Sequence, residues 1–280
     1  MHPLITPNQL EELVNTGADI LICDCRFDLT NPQAGREAYN VGHILGAIYV
    51  DLDRDLSAEK TGSNGRHPLP SPQAWADTRQ RLGIDAKTSV IAYDNHGSVY
   101  ASRLWWMLKA SGHAHVQVLD GGLSAWNGSI GTIPPVIAPL KVTPTPQEWV
   151  GVVTVDAIEE CIADPNLLGH CMIDARAEDR FRGENETLDA VGGHIPGALN
   201  RFFKHNLSAG QFKSPEVLRT EFKALLGSTP ANKVINQCGS GVSACHNLLA
   251  MEAAGLSGSR LYVGSWSEWC TDPKRPIATV

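Results

Sequence analysis

The 280-residue sequence repeats itself once, and this internal repeat constrains the fold more than any other feature. Four short motifs of the first half recur in the same order in the second half, roughly 150 positions later. The pairs are Asp24–Arg26 with Asp174–Arg176, Gly42–Ala47 with Gly193–Ala198, Val90–Asp94 with Val234–Cys238, and Leu119–Trp126 with Tyr262–Trp269. The shared order predicts two homologous halves that adopt the same fold.

Short apolar runs alternate with helical stretches in each half. The runs ADILICD and SVIAYD are rich in β-branched residues and about six residues long, which is typical of buried strands. Two other stretches open with a serine followed by proline, at Ser71 and Ser214, and close at Gly83 and Gly227. Serine as N-cap, proline in the first turn and glycine after the end indicate helices. The alternation predicts an α/β fold in which each half is a mainly parallel sheet flanked by helices.

A proline-rich stretch separates the two halves. Residues 131–147 hold five prolines and show no helical periodicity, which favours an extended, semi-rigid linker. We therefore predict a first domain over residues 1–130 and a second domain over residues 148–280.

Composition excludes several classes of protein. The net charge of -7 disfavours a general nucleic-acid binder, and no apolar run approaches the ~20 residues that span a bilayer. The N-terminal residues lack the pattern of a secretory signal. None of the seven cysteines forms a CxxC pair, so we expect no metal site and no cofactor, and a reduced, cytoplasmic setting.

Cys238 is the strongest candidate for a reactive residue. It follows the predicted strand KVINQ and precedes a Gly-Ser-Gly turn and a predicted helix, at the strand end where parallel sheets bind ligands. Gly239 and Gly241 permit a tight turn with inward-pointing amides, and the helix N-terminus favours an anion. Such sites lower cysteine pKa values to ~3.5–7.5. We predict a thiolate nucleophile that can carry sulfur as a persulfide, whereas the first half has Asp94 at the equivalent position.

The remaining cysteines and two repeated histidines are expected to serve packing. Cys23 and Cys25 lie two apart on a predicted strand and share one face. Cys245 is expected to pack on the helix that follows the loop, with a disulfide to Cys238 as the alternative. His43 and His194 occur in both halves although only one half has the loop thiol, which indicates a structural role.

The loop CGSGV, with GHIPGA, the DAR…RF run, the first-half GHILGA and WSEW near the C-terminus, resembles the tandem-domain rhodanese-like sulfurtransferases over nearly the whole chain. Within that superfamily the loop is most similar to that of the 3-mercaptopyruvate sulfurtransferases. The resemblance implies two rhodanese-like α/β domains, of which only the C-terminal one is catalytic. It also implies transfer of sulfur from a small-molecule donor to a thiol, cyanide or thioredoxin-like acceptor, without nucleic-acid or membrane partners.

The resemblance also implies roles for individual residues. Cys238 matches the persulfide-forming nucleophile, Ser240 the loop serine that acts with His67 and Asp53, and Arg180 an arginine that binds the donor's carboxylate. Substrate contacts are further implied for the loop residues Gly239, Gly241, Val242 and Ser243; related proteins usually carry threonine at position 243.

One departure from the family pattern concerns a second substrate-binding arginine, which commonly precedes GHIPG by a few residues. Here that stretch reads ETLDAVG and contains no basic residue. Arg182 is the candidate to compensate, and the exact donor stays open.

Three alternatives to 3-mercaptopyruvate transfer are considered. Thiosulfate is a dianion that favours a cationic loop, whereas Gly239 and Ser240 are neutral. A cysteine phosphatase requires an arginine six positions after the cysteine, where this chain has Ala244. A sulfur carrier without turnover is disfavoured by the intact loop.

Overall fold

The computed structural model describes residues 1–163 and 171–279. The chain forms two compact units, one made of Met1–Ala58 with Leu69–Val150 and the other of Glu59–Pro68 with Gly151–Val280. The short segment Glu59–Pro68 therefore belongs with the second unit, although it lies in the first half of the sequence. Within the described residues, no helix combines the length and apolar character needed to cross a membrane.

The first unit is built on a parallel sheet of five strands in the order β1-β6-β5-β2-β4. Its strands are β1 (Leu4–Ile5), β2 (Ile20–Asp24), β3 (His43–Ile44), β4 (Ile48–Tyr49), β5 (Ser89–Tyr93), β6 (Val116–Leu119) and β7 (Ile130–Gly131). Its helices are α1 (Pro7–Asn15), α2 (Ala34–Val41), α3 (Pro72–Leu82) and α4 (Ala101–Ala110). Strands β3 and β7 pair separately as a short antiparallel ribbon.

The second unit has a parallel sheet of five strands in the order β10-β9-β13-β14-β8. Its strands are β8 (Val152–Val153), β9 (Cys171–Asp174), β10 (Leu199–Asn200), β11 (Leu207–Ser208), β12 (Gln211–Phe212), β13 (Val234–Gln237) and β14 (Arg260–Tyr262). Its helices are α5 (Val155–Ala163), α6 (Glu178–Arg182), α7 (Pro215–Leu226), α8 (Ser243–Ala253) and α9 (Ser265–Trp269). Strands β11 and β12 form an antiparallel hairpin.

The two sheets share one topology. Read from the other edge, the first sheet runs β4-β2-β5-β6-β1, and each strand matches its counterpart in β10-β9-β13-β14-β8. The predicted fold class, two α/β domains with parallel sheets flanked by helices, is confirmed. The parallel sheets place the C-terminal ends of β5 and β13 at equivalent positions, where ligands bind in folds of this kind.

The predicted helix starts are also confirmed. The Ser71 hydroxyl accepts the amide of Ala74 at the start of α3, and the Ser214 hydroxyl accepts the amide of Val217 at the start of α7. Such caps satisfy amides that have no partner in the helix, and each typically contributes about 1 kcal/mol. Gly83 ends α3 in the left-handed region, with φ of 74°.

The repeated Asp-Arg and Gly-His motifs form the same contacts in both units. Arg26 pairs with Asp24 and donates to the Gly42 carbonyl (2.6 Å), and Arg176 pairs with Asp174 and donates to the Gly193 carbonyl (2.7 Å). In each unit the residue directly after that glycine is a histidine, His43 or His194. Its ring stacks on an aromatic ring, and its Nδ1 lies within 2.8 Å of a backbone carbonyl. These contacts agree with the packing role predicted for both histidines.

Candidate active site

Cys238 lies at the C-terminal end of β13, the central strand of the second unit's sheet. It directly follows β13, which pairs with β9 on one side and β14 on the other, and it precedes α8 by four residues. The residue is 2 % exposed, so the surrounding structure excludes most solvent from it. The strand–loop–helix placement predicted for Cys238 is therefore present.

The start of α9 holds the backbone of the cysteine loop. The Cys238 amide donates to the Ser265 hydroxyl (3.1 Å), and the carbonyls of Cys238 and Gly239 accept from the amides of Trp266 and Ser267 (both 2.9 Å). Trp266 is itself fully buried and anchors this helix in the core. The C-terminal repeat motif thus fixes the loop, a role that its sequence alone did not indicate.

The loop residues after Cys238 present backbone rather than side chains. Gly241 has φ of 75°, and a Cβ there would lie 2.3 Å from the Val263 carbonyl oxygen, so only glycine fits. Val242 is buried and precedes the half-buried Ser243, which begins α8. Across residues 1–163 and 171–279, the amides of Gly239 and Val242 have no hydrogen-bond acceptor. These amides can therefore donate hydrogen bonds to an anion bound at the loop.

The equivalent loop of the first unit already holds an anion. The Asp94 carboxylate accepts hydrogen bonds from the amides of His96, Ser98, Tyr100 and Ala101, at 2.7 to 2.9 Å. Burial raises the pKa of Asp94 although these four amides lower it. The two units share one topology. The loop after β5 therefore shows how this fold presents backbone amides to a negative group at the first position of the loop.

Ser240 and His67 are brought together as predicted. His67 Nδ1 lies 2.8 Å from the Ser240 hydroxyl, and both residues are about 5 % exposed or less. His67 belongs to the segment Glu59–Pro68, which is part of the second unit. Gly65 has φ of 81°, and a Cβ there would lie 2.8 Å from the Gly264 carbonyl, so this segment approaches the start of α9 closely.

Asp53, the third residue of the predicted relay, lies in the first unit. It is half-buried in the loop after β4, and its amide donates to the Asp51 carboxylate (3.0 Å). Its predicted action on His67 stays a prediction.

Arg180 lies on α6 beside the cysteine loop. Its guanidinium pairs with Glu186 (2.8 Å) and approaches Asp189 (3.4 Å). A Cβ added to Gly239 would lie 3.5 Å from Arg180 Nη2, which places the cation next to the residue that follows Cys238. Arg180 therefore lies beside the residue that follows Cys238, and its predicted contact with the donor stays a prediction.

Arg66 was not predicted as a site residue, yet its guanidinium also lies against Gly239. A Cβ added to Gly239 would be 2.8 Å from Arg66 Nη2, and Arg66 Nη1 pairs with Asp189. Its position beside His67 was the only sequence signal. Arg182, the predicted compensating residue, instead pairs with Glu184 (2.8 Å), and its side chain is 40 % exposed.

A buried charge network lies behind the loop. Arg176 pairs with Asp174 (2.7 Å), approaches Glu186 (3.5 Å) and stacks over the Trp266 ring (4.8 Å). Burial lowers the pKa of Arg176, but Asp174, Glu186 and the charge of Cys238 raise it by more. The charge of this guanidinium is therefore offset within the buried network by Asp174 and Glu186.

Cys23, Cys25 and Cys245 are packed, as predicted, whereas Cys161, Cys171 and Cys270 are half-buried. Cys23 and Cys25 are buried, and burial raises the pKa of both thiols. Cys245 is also buried, and its thiol donates to the Gly241 carbonyl (3.3 Å). Among the described residues there is no disulfide, and no cluster of three potential metal ligands.

Known proteins match the chain over most of its length. The model of the rhodanese-like domain matches residues 6–129 and 154–272. A probable 3-mercaptopyruvate sulfurtransferase of Pseudomonas aeruginosa is 42% identical over 99% of this chain and 98% of its own. A putative thiosulfate sulfurtransferase of Mycobacterium tuberculosis is 38% identical over 98% of this chain and 96% of its own. The solved structure of 3-mercaptopyruvate sulfurtransferase from Leishmania major superimposes with a TM-score of 0.85 at 29% identity, covering 98% of this chain and 75% of that one.

Proposed function

We infer that this chain, a sulfurtransferase that belongs to the rhodanese-like family, takes sulfur from 3-mercaptopyruvate and carries it as a persulfide on Cys238. The observation that carries this proposal is the Arg180 guanidinium beside Gly239, next to the loop thiol. A guanidinium binds a carboxylate through two parallel hydrogen bonds, and 3-mercaptopyruvate bears a carboxylate.

The first half-reaction forms one bond and breaks another. The Cys238 thiolate attacks the donor's sulfur and forms the S–S bond, while the donor's C–S bond breaks. The electron pair of that bond leaves as pyruvate enolate, and a proton converts the enolate to pyruvate. Amides of the loop and the start of α8 stabilise the thiolate and then the persulfide anion.

In this proposal Ser240 and His67 supply the proton. The Ser240 hydroxyl donates to the enolate and is reprotonated through His67, which lies 2.8 Å away. Positioned proton transfer of this kind typically accelerates a reaction by ~10²–10⁴. The family resemblance implies that Asp53 acts with this histidine, and that role is part of the proposal.

The charges around the loop favour a monoanionic donor. Arg180 faces two carboxylates, Glu186 and Asp189, so the cationic surface beside Gly239 is largely compensated. Thiosulfate carries two negative charges, and its transfer into this site gains less from compensated cations than from unpaired ones. We therefore place thiosulfate second, although one relative carries that name.

In the second half-reaction the outer sulfur passes to a thiol, cyanide or a thioredoxin-like acceptor, which restores the Cys238 thiolate.

A cytoplasmic location is supported by the absence of disulfides among the seven cysteines, all of which are described.

The test combines mass spectrometry with steady-state kinetics. After treatment with 3-mercaptopyruvate, the Cys238 peptide is expected to gain about 32 Da, the mass of one sulfur atom, as a persulfide. Cys238→Ser removes the adduct and all sulfur transfer, with an unchanged circular dichroism spectrum. Retained transfer in that variant contradicts the assignment, and a higher kcat/KM for thiosulfate contradicts the choice of donor.

A further inference from the structure

We propose that a cavity of the first unit, lined by Arg79 and His113, binds a small organic anion that presents a carboxylate or phosphate group to the Arg79 guanidinium. Every residue that lines this cavity belongs to the first unit. The inference is independent of the chemistry proposed for Cys238, which lies in the second unit.

Arg79 is a buried cation without a counter-ion. It lies on α3 and is only 6 % exposed. Its Nε has no hydrogen-bond partner, and its guanidinium forms no ion pair with a carboxylate of residues 1–163 or 171–279. Burial lowers the pKa of Arg79, and the charge of Asp85 raises it by less. A guanidinium that has lost its hydration and gained no partner benefits strongly from an oxyanion that accepts its N–H groups.

Asp85 acts on Arg79 through its charge but does not fill the place of a counter-ion. Its Oδ1 accepts the amides of Lys87 and Thr88 (2.8 and 2.9 Å) and the Thr88 hydroxyl (2.9 Å). The Asp85 side chain is exposed, so solvent and salt screen its charge. This carboxylate therefore stabilises its own turn and leaves the guanidinium unpaired.

The cavity beside Arg79 is large enough for an organic molecule. Its volume is about 480 Å³. Sites for small molecules typically measure ~300–1,000 Å³, whereas one water takes ~30 Å³ in the liquid. The lining combines the polar side chains of Arg79 and His113 with the apolar side chains of Leu140, Val142 and Pro144. This combination favours a ligand that has an apolar body and one anionic group.

One wall of the cavity is held against α3 by Gln80, the neighbour of Arg79. The Gln80 side-chain amide donates to the Leu140 carbonyl (3.0 Å), and Gln80 Oε1 accepts the Thr143 hydroxyl (2.6 Å). The Leu140 amide donates to the Gln80 carbonyl (2.9 Å). Three hydrogen bonds to one residue thus fix a segment that has no helix or strand of its own. A preformed wall reduces the entropy that a ligand loses on binding.

The first experiment measures recognition of charge by isothermal titration calorimetry. The probes are benzoate, phenyl phosphate and benzamide, an uncharged molecule of nearly the same shape as benzoate. Wild type is expected to bind at least one of the two anions about 10- to 100-fold more tightly than benzamide, because the guanidinium hydrogen bond is charge-assisted. The anion that binds more tightly identifies the preferred group. If neither anion binds more tightly than benzamide, the inference is wrong.

The second experiment compares Arg79→Met with Lys109→Met. Methionine keeps an unbranched apolar stem and removes the charge. Lys109 is a matched control because it is an exposed cation on α4 of the same unit. Arg79→Met is expected to weaken anion binding by about 10- to 100-fold, whereas Lys109→Met leaves it unchanged. Both variants are expected to keep wild-type sulfur transfer. Wild-type affinity for the anions in Arg79→Met overturns the inference.

Hydrogen exchange of the wild-type protein locates the bound anion, and it stays decisive even if Arg79→Met does not fold. The anion that binds more tightly is expected to slow amide exchange in residues 79–86 and 140–147, and benzamide at the same concentration is expected to have little effect. Protection confined to residues 238–243 would place the anion at the candidate active site instead. That result would contradict a binding site in the first unit.

Discussion

Gly241 is the residue on which the shape of the cysteine loop most depends. Its φ of 75° is in the left-handed region, and its α-carbon approaches the Val263 carbonyl so closely that a Cβ would overlap it. Both constraints act at this one position, so only glycine fits there.

Gly241→Ala is therefore expected to destabilise the protein and to lower activity. Backbone strain and overlap together cost about 1–3 kcal/mol of unfolding free energy, measured by urea denaturation. Gly210→Ala is the matched control, because Gly210 also has a positive φ (84°) but nothing within 4 Å of its added Cβ. Equal losses in the two variants would contradict the importance of the close approach to Val263.

The Glu186 carboxyl makes the stability of the protein depend on pH. Burial raises the pKa of this carboxyl, but hydrogen bonds from Arg180 and from the Leu188 amide lower it by more, so the folded value lies below the ordinary one. As pH falls, the unfolded chain takes up the proton first. The ionised Glu186 carboxylate therefore stabilises the folded state above the unfolded pKa of about 4.3. This stabilisation is lost as the pH falls through the lower pKa that the carboxyl has in the folded state.

Glu186→Gln removes this contribution. The difference in unfolding free energy between wild type and variant is expected to be largest near pH 6 and to shrink towards about pH 3. Urea titrations across that range measure it, with Glu11→Gln on the exposed side of α1 as control. A difference that grows on acidification would contradict the lowered pKa.

At the scale of elements, the chain uses one strand–loop–helix unit twice with different groups in its first loop position. After β5 that group is the Asp94 carboxylate, which accepts four loop amides, and after β13 it is the Cys238 thiol. These four amides form a cradle for a negative group, and the aspartate fills it permanently. The first unit therefore keeps the architecture without the nucleophile. In the second unit the same position holds the thiol that we propose as the nucleophile.

Asp94→Asn tests the cradle directly. Asparagine has one acceptor oxygen, so its NH₂ group would face two of the four donating amides. Buried donors that lose their acceptor cost about 1–3 kcal/mol, measured as unfolding free energy at neutral pH. Asp85→Asn provides the control, because Asp85 also accepts backbone amides but is exposed. Equal stability of the two variants would count against the cradle.

At the scale of the whole molecule, the candidate machinery is unevenly divided between the two units. Cys238, Ser240, His67 and Arg180 belong to the second unit, whereas Asp53 belongs to the first. Asp53 is therefore the one residue of the predicted relay that lies in the first unit.

Asp53→Asn is expected to lower kcat by about 10²-fold, because the relay that the family resemblance implies then lacks its carboxylate. KM for 3-mercaptopyruvate and persulfide loading at equilibrium are expected to stay near their wild-type values. Asp19→Asn, an exposed aspartate of the same unit, is the control. A wild-type kcat in Asp53→Asn would remove Asp53 from the relay.

Local patterns in the sequence sufficed for much of the structure. The repeat, the strand runs, the serine caps and the glycine stops depend on neighbours a few residues apart, so they could be predicted without knowing how the chain folds. Cys238 was found for the same reason, since a strand end, a glycine turn and a helix start are adjacent along the chain.

Tertiary structure alone decided how distant segments complete the site. Arg66 meets Asp189 across 123 positions and meets Gly239 across a still longer separation, and Ser267 receives the Arg66 amide across 201 positions. The path of Glu59–Pro68 into the second unit follows from no periodic pattern, because it has no helix or strand of its own. Close packing at Gly65 and Gly239 sets that path, and packing depends on residues that local sequence cannot identify.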